Sequence, residues 1–322
     1  MLMDLRQLEN IRMIAETKSI SKAAKKLYLT QSALNQQLIH LEEELGIQLF
    51  CRGRNHFQIT EAGQIYLDGV NRILDIRKDV YNRISDLSQL QRGSIRLGLM
   101  ADRGMSIFCS IYPHFYEKYP DIHLTPIEAP VSEQEHMIGT GELDMGIITL
   151  PTEQLTRNNY THIYKEELIL IVPASHPLAA QGARFTTEEA LPELLPEISP
   201  KQFKKDPFIL MQKTSTMRSL IDRSLEEAGF HPSIVMETRS SYSIFKMAQV
   251  MGCCSIIPRA YACPTKRLVY FSLPGHPSWD FVASHPKKIY LNEPCRYLIQ
   301  LMKDYWSESP YLCDHKKEED MD

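Results

Sequence analysis

Four polar side chains within one short stretch carry the first chemistry in this chain: Gln31, Ser32, Asn35 and Gln36. Gln and Asn each present an acceptor and a donor on one planar amide, the pattern that pairs bidentately with adenine in the major groove. On a helix these four positions share one side of its first turns. Ser21, Lys22 and Thr30 lie just before them, and Arg52 and Arg54 just after. Hydroxyls, a lysine and two arginines suit phosphate oxygens, which fix register on a duplex without reading sequence. Lys25 and Lys26 add local positive charge.

A second group of polar residues has a different character. Lys213-Thr214-Ser215-Thr216 follows an apolar run and precedes a helical pattern. Amides and hydroxyls at a helix start, with one ammonium, suit a carboxylate or phosphate. Ala101-Asp102, Thr149 and Thr238 each follow an expected strand, where open α/β sheets place their ligands. Asp102 reads first as a helix cap. Facing a cleft, it would instead favour a ligand carrying an amine or hydroxyl.

Two helices joined by a tight turn must present the first four residues. Ser21 reads as the cap of a helix over 22–27, Tyr28-Leu29 as the turn, and Thr30 as the cap of a helix over 31–44 that stops at Gly46. Ala23 and Ala24 allow the close crossing, and Leu27, Leu29, Leu34, Leu38 and Leu41 supply the inner faces. Strands near 49–50 and 57–59 would flank a wing at 51–56, turned at Gly53. The plainer reading is a helical hairpin with a polar solvent face. The alanine pair, the short turn and the polar cluster at these offsets favour reading of DNA. Leu5, Leu8, Ile11 and Ile14 recur at helical spacing ahead of the pair. A long helix from Thr60 to about 91 follows, with Ile65, Val70, Ile73, Ile76, Val80, Ile84, Leu87 and Leu90 as an apolar stripe. A lone helix of that length calls for a partner, so it predicts dimerisation, the alternative being a stripe docked on its own domain.

From Gly93 strands and helices alternate: strands at 94–100, 123–129, 143–149 and 168–172, helices at 106–119 and 132–138. The pattern restarts with strands at 207–211, 233–237 and 254–257 and helices at 217–228 and 242–250. A late strand falls at 268–273 and a last helix at 292–306. Two α/β lobes follow, crossed twice by the chain. The expected organisation is a DNA-binding domain at 1–60 and a linker helix at 61–92. An effector domain at 93–312 has one lobe at about 93–170 and 268–312 and another at about 171–267. A charged, disordered tail at 313–322 ends the chain.

Composition sets bounds. The chain has 322 residues, enough for two or three domains, and a net charge of −4. Residues 1–92 hold 13 Lys+Arg against 11 Asp+Glu, and the remainder carries the acidic excess. That small basic surplus argues against a nonspecific architectural role, which depends on many phosphate contacts. The 7 cysteines show no zinc spacing and read as reduced, mostly buried thiols of a cytoplasmic protein. There is no signal-peptide pattern and no apolar run long enough for a membrane span. Gly139-Thr140-Gly141 precedes a strand instead of following one, so it is no dinucleotide loop. The histidines form no ligand pair, and Glu42-Glu43-Glu44 reads as a solvated helix face. No metal or cofactor is expected, and no enzyme activity.

The run Ser19-Ile20-Ser21-Lys22-Ala23-Ala24, Leu27, Leu29-Thr30-Gln31-Ser32-Ala33-Leu34-Asn35-Gln36-Gln37-Leu38, Leu41-Glu42, Leu45-Gly46, Leu49-Phe50, Arg52 and Thr60-Glu61-Ala62-Gly63 resembles LysR-type transcriptional regulators. The resemblance continues through Gly93-Ser94-Ile95-Arg96-Leu97-Gly98, Gly141-Glu142-Leu143-Asp144-Met145-Gly146-Ile147 and Val172-Pro173-Ala174-Ser175-His176-Pro177-Leu178. It implies an N-terminal winged helix-turn-helix, all-α with a small β wing, then a dimerising linker helix. It also implies a two-lobed α/β effector domain like periplasmic binding proteins, effector contacts in the 213–216 loop, and tetramers as the usual assembly. Two departures stand out. Asn35-Gln36 replaces the family's Ser and basic residue, and Gln181 to Asp206 is longer than usual, with no readable role. The expected function is a sequence-specific, effector-tuned regulator binding double-stranded DNA as a homodimer or homotetramer. The alternative is an α/β binding protein or enzyme with a helical dimerisation module.

Overall fold

The computed structural model describes residues 4–52, 57–88, 92–101, 103–155, 157–185, 191–287 and 289–308. The chain divides into two compact units, one of residues up to 90 with a short segment near 290, the other of the remainder. The wing tip with Arg54, the linker end at 89–91, Asp102 and the tail at 313–322 lie outside the described residues.

In the first unit, α1 (Leu5–Thr17) buries Leu8, Ile11 and Ile14 along one face. Helix α2 (Ile20–Lys26) and helix α3 (Gln31–Leu45) form the expected pair. The α2 cap is Ser19, not Ser21: the Ser19 hydroxyl accepts the Lys22 amide at 3.3 Å, and Ser21 lies inside the first turn. Thr30 caps α3 as expected, accepting from Ala33 N–H at 3.2 Å, and Gly46 ends it at φ 69°. Ala23 and Ala24 are buried with Leu34, Leu38 and Leu41. Leu29 is not among them. The turn closes through Leu29 N–H to the Ala24 carbonyl at 2.9 Å, and the Leu29 side chain stays at the rim, 37% exposed.

Strands β1 (Phe50–Arg52) and β2 (Phe57–Ile59) pair antiparallel, Phe50 opposite Ile59. Glu42 overturns the solvated reading of its run. It is buried, and its carboxylate accepts the amides of Leu49 at 2.8 Å and Phe50 at 3.1 Å, fixing where the wing begins. Helix α4 (Glu61–Ser88) starts at the Thr60 cap. Gly63 is required there: a Cβ would sit 2.1 Å from the Leu49 carbonyl oxygen. The α4 stripe splits in two. Leu67, Val70 and Leu74 pack against this unit's own core, whereas Ile65, Ile76, Val80, Ile84 and Leu87 are exposed. Lower on α4, Asp79 accepts the Tyr290 amide at 2.6 Å, Asn82 donates to the Tyr290 carbonyl at 3.1 Å, and Arg83 lies 5.0 Å from the Tyr290 ring.

The second unit is one twisted sheet with helices on both faces. Strands β3 (Gly93–Leu99), β4 (Ile122–Glu128) and β5 (Met145–Leu150) run parallel, linked by α5 (Arg103–Lys118) and α6 (Val131–Gly139). Gly98 and Gly146 let α6 close on them: a Cβ on either would meet Gln134 Oε1 at 2.6 or 2.8 Å. Strand β6 (Asn159–Pro173) is longer than expected. Strands β7 (Pro207–Met211), β8 (Ser233–Thr238) and β9 (Cys254–Pro258), with α7 (Thr216–Glu227) and α8 (Ser241–Met251), repeat the parallel pattern. Strands β10 (Leu268–Ser272) and β11 (Ser278–His285) and helix α9 (Glu293–Glu308) complete the unit.

The order is β4-β3-β5-β11-β6-β9-β7-β8, with β10 also on β6. The first part of β6 pairs with β11, and its end pairs with β9 and β10. One strand therefore serves both lobes. Because Leu268–Ser272 pairs with residues 169–173, β10 belongs with the second lobe, whereas the sequence reading grouped 268 onward with the first. The described parts of the unread 181–206 stretch, 181–185 and 191–206, have a clear place. Ala183 and Tyr270 exchange amide bonds at 2.9 Å, and Ser272 donates to the Pro196 carbonyl at 3.0 Å. Leu191, Leu195, Ile198 and Phe203 are buried beside it. Ala183 and residues 196–198 cover the outer edge of β10, an edge that would otherwise offer unpaired amides.

Candidate functional site

In the first unit, α3 presents Gln31, Ser32 and Gln36 to solvent, with Asn35 half-buried beside them. Thr30 is exposed, its oxygen 3.2 Å from the Ser32 hydroxyl. Ser21 and Lys22 are exposed on α2. Thr30, Gln31 and Ser32 form the N-terminal end of α3, and Ser21 and Lys22 lie on the helix before it. Arg52 lies in β1, and its side chain is outside the described residues, as is Arg54. Sequence reasoning missed Asn10. Its side chain is buried in α1 and donates to Gln37 Oε1 at 2.7 Å, tying α1 to α3. An Asn inside an apolar helical period was the available signal.

In the second unit the candidate residues cluster at strand ends but differ in availability. Ala101 is exposed after β3. Thr149, near the end of β5, is buried, and its hydroxyl lies 3.5 Å from Met100 Sδ. Lys213 and Thr214 are exposed between β7 and α7. Ser215 caps α7, accepting from Met217 N–H at 3.2 Å, and Thr216 opens the helix, half-buried. Thr238 ends β8. Its hydroxyl accepts from Ser240 N–H at 3.4 Å, and its carbonyl accepts from Gln212 N–H at 2.9 Å. Beneath this loop the buried Arg218 guanidinium donates to the Met211 carbonyl and to Asp222, both at 2.7 Å, and also to Glu237. Two carboxylates beside Arg218 and Lys213 give the loop charges of both signs.

Two ties join the lobes. Arg223 on α7 donates to Glu153, just past β5, at 2.5 Å. That hydrogen bond holds the Glu153 carboxyl below the usual carboxylate range. Deeper, fully buried Glu166 of β6 accepts from Arg103 of the first lobe and from Trp279 Nε1–H at 2.8 Å. It also accepts from Ala260 N–H of the second lobe at 3.2 Å. Arg103 lies under the rings of Phe281 at 5.0 Å and Trp306 at 4.6 Å. Sequence reasoning missed this cluster, and a pair of glutamates ahead of an apolar run gives little signal that one of them is buried.

Comparison with known proteins bears on both units. Residues 5–64 match the model of the bacterial regulatory helix-turn-helix protein, lysR family. Residues 88–307 match that of the LysR substrate binding domain. The chain belongs to the LysR family of transcriptional regulators. This LysR regulator is 30% identical over 231 residues to a probable RuBisCO transcriptional regulator of Cyanidium caldarium, covering 71% of the chain and 68% of the relative. It is 28% identical over 236 residues to the uncharacterized HTH-type transcriptional regulator YwbI of Bacillus subtilis, covering 73% of each. In fold it is similar to a full-length OxyR variant from Pseudomonas aeruginosa, at TM-score 0.69 and 19% identity, covering 98% and 97% of the two chains. It is also similar to a putative LysR family transcriptional regulator from the same organism, at TM-score 0.53 and 19% identity, covering 94% and 99%. The reading head is thus a DNA-binding winged helix-turn-helix, the second unit is a substrate-binding domain, and the chain is a regulator, not an enzyme. Among the described residues no helix is long and apolar enough to cross a membrane.

Proposed function

We propose that this regulator reads a specific operator with Gln31, Ser32, Asn35 and Gln36, and is positioned on phosphate by Ser21, Lys22, Thr30, Arg52 and Arg54. A small carboxylate or amphoteric metabolite, bound between the lobes of the second unit, tunes that grip. The observation that carries this reading is the 213–216 loop. Its exposed ammonium and hydroxyl stand at the start of a long helix, over a guanidinium shared by two carboxylates. A ligand with both charges, or a carboxylate with hydroxyls, suits that setting. Thr238, Thr149 and Ala101 stand at the other strand ends, and Asp102 is proposed to join them. The working organisation is a DNA-binding domain at 1–60, a linker at 61–92 and an effector domain at 93–312. The protein acts in the cytoplasm as a homodimer or homotetramer joined through the exposed face of α4.

Calorimetry of the full-length protein against a panel of amino acids, hydroxy acids and dicarboxylates tests the ligand class. A saturable heat that weakens about tenfold or more in Thr214→Ala or Ser215→Ala supports it, an effect of one lost hydrogen bond to a charged group. Unchanged affinity in both variants sinks the site. Gel shifts with the duplex upstream of the regulator's own gene test the reading head. Gln31→Ala or Asn35→Ala should erase preference over scrambled duplex while leaving salt-dependent binding.

A further inference from the structure

Among the described residues, glycine occupies most of the left-handed backbone positions: 46, 93, 141, 229, 252 and 275. Three other residues do so as well: Lys18 at φ 48°, Tyr28 at φ 56° and His276 at φ 46°. Glycine adopts this conformation without the clash that any Cβ brings, so a larger residue there needs a reason. For His276 the reason is internal, since its Nδ1 lies 2.8 Å from Glu167 Oε1. Lys18 and Tyr28 close the ends of α1 and α2, their amides donating to the Ala15 and Lys25 carbonyls, both at 3.3 Å, but glycine is the residue that usually fills such a cap. Both side chains are exposed, Tyr28 at 96%, and no hydrogen bond or ion pair engages either among the described residues. Glycine would close both helices at lower cost, so the caps do not explain the two exposed side chains.

Their positions supply the reason. Lys18 is the residue after α1, and Tyr28 lies in the turn between α2 and the reading helix, so the two bracket α2. Exposed Ser21, Lys22, Lys25 and Lys26 lie between them, and exposed Thr30 and Gln31 follow. Strained conformations persist where a side chain must be aimed at a partner. We propose that Lys18 and Tyr28 grip the sugar–phosphate backbone of DNA on either side of α2, holding the reading helix in register. Lys18 contributes an ammonium to one phosphate. Tyr28 donates its hydroxyl to another and lays its ring along the sugar. Seven helical residues span about 10 Å, well beyond the roughly 3.4 Å axial rise per phosphate, so the two contacts fall on different phosphates. The proposal rests on the family's DNA binding. It adds two residues that the base-reading positions do not include.

Glycine substitution separates this role from a structural one. Lys18→Gly and Tyr28→Gly relieve backbone strain, so both variants should melt at the wild-type temperature or a few degrees above it. Binding to a random-sequence duplex at low salt, followed by fluorescence anisotropy, should weaken by about three- to thirtyfold in each. Backbone contacts carry no sequence information, so no operator is needed. In Lys18→Gly the slope of log K against log salt should shrink by about 1; in Tyr28→Gly it should not change, because phenol is neutral. Tyr28→Phe should lose part of the affinity and keep the wild-type melting temperature. Wild-type affinity in both glycine variants overturns the proposal. So does a glycine variant that melts earlier than wild type, because the side chain would then be supporting the fold.

Discussion

Glu42 shows how one side chain can set the geometry of a whole recognition unit. It stands in a run of three glutamates, yet its carboxylate alone accepts the two amides that open the wing. Glu42→Ala would leave both amides without that acceptor, so we expect a loss of about 1–3 kcal/mol in chemical denaturation, with weakened DNA binding. His285 makes a pH prediction. Burial pushes its imidazole below the ordinary value of 6.5, against a smaller opposing effect from the Pro286 backbone. The unfolded chain therefore binds this proton more readily. The neutral form's contribution to stability is complete above pH 6.5 and declines as pH falls toward the depressed folded value. His285→Gln should flatten the dependence of melting temperature on pH between about 5 and 7. Reading at this scale has a limit that Ser19 and Ser21 define. Two serines stand within three residues, and spacing alone does not say which oxygen meets the orphan amide. The chain takes the earlier one because the helix gains Ile20.

Helix α4 carries the clearest test among the elements. Its exposed Ile76, Val80, Ile84 and Leu87 follow helical spacing on a face with no partner among the described residues of this chain. Ile76→Asp combined with Ile84→Asp should convert the oligomer to monomer in sedimentation velocity, while leaving the circular dichroism of the fold intact. Had α4 been a self-docked helix throughout, that pair would unfold the protein. The stripe was legible in sequence, but its division was not: Leu67, Val70 and Leu74 meet α1 through contacts that only the tertiary arrangement supplies. Strand β6 teaches the same lesson. Residues 168–172 announce themselves as an unbroken apolar run covered on both faces. The preceding Asn159–Glu167 stretch, with His162, Lys165 and two glutamates, does not look like a strand, because its ladder to β11 is decided by a partner over a hundred residues away. The 213–216 loop was legible because strand, loop and helix follow one another directly.

For the second unit as a whole, the pair Arg223 and Glu153 is the accessible tie between lobes. An exposed pair contributes little to global stability. Arg223→Ala should leave the melting temperature unchanged within a degree or two but alter the affinity of any cleft ligand by a few fold, measured by calorimetry, because the tie favours one lobe arrangement over others. Equal affinity in variant and wild type would show that the tie is indifferent to ligand.

The shared strand also limits the mechanics of that cleft. An extended chain is already near its maximum reach, so β6 cannot lengthen to let its two halves drift apart. The return path is pinned to it, Leu168 N–H donating to the Pro277 carbonyl at 2.8 Å. Translation is thereby blocked, and what remains is flexing or torsion about a stiff rod. Whatever occupies the cleft would be felt as a change of angle rather than of separation, like a pair of tongs joined by a leaf spring.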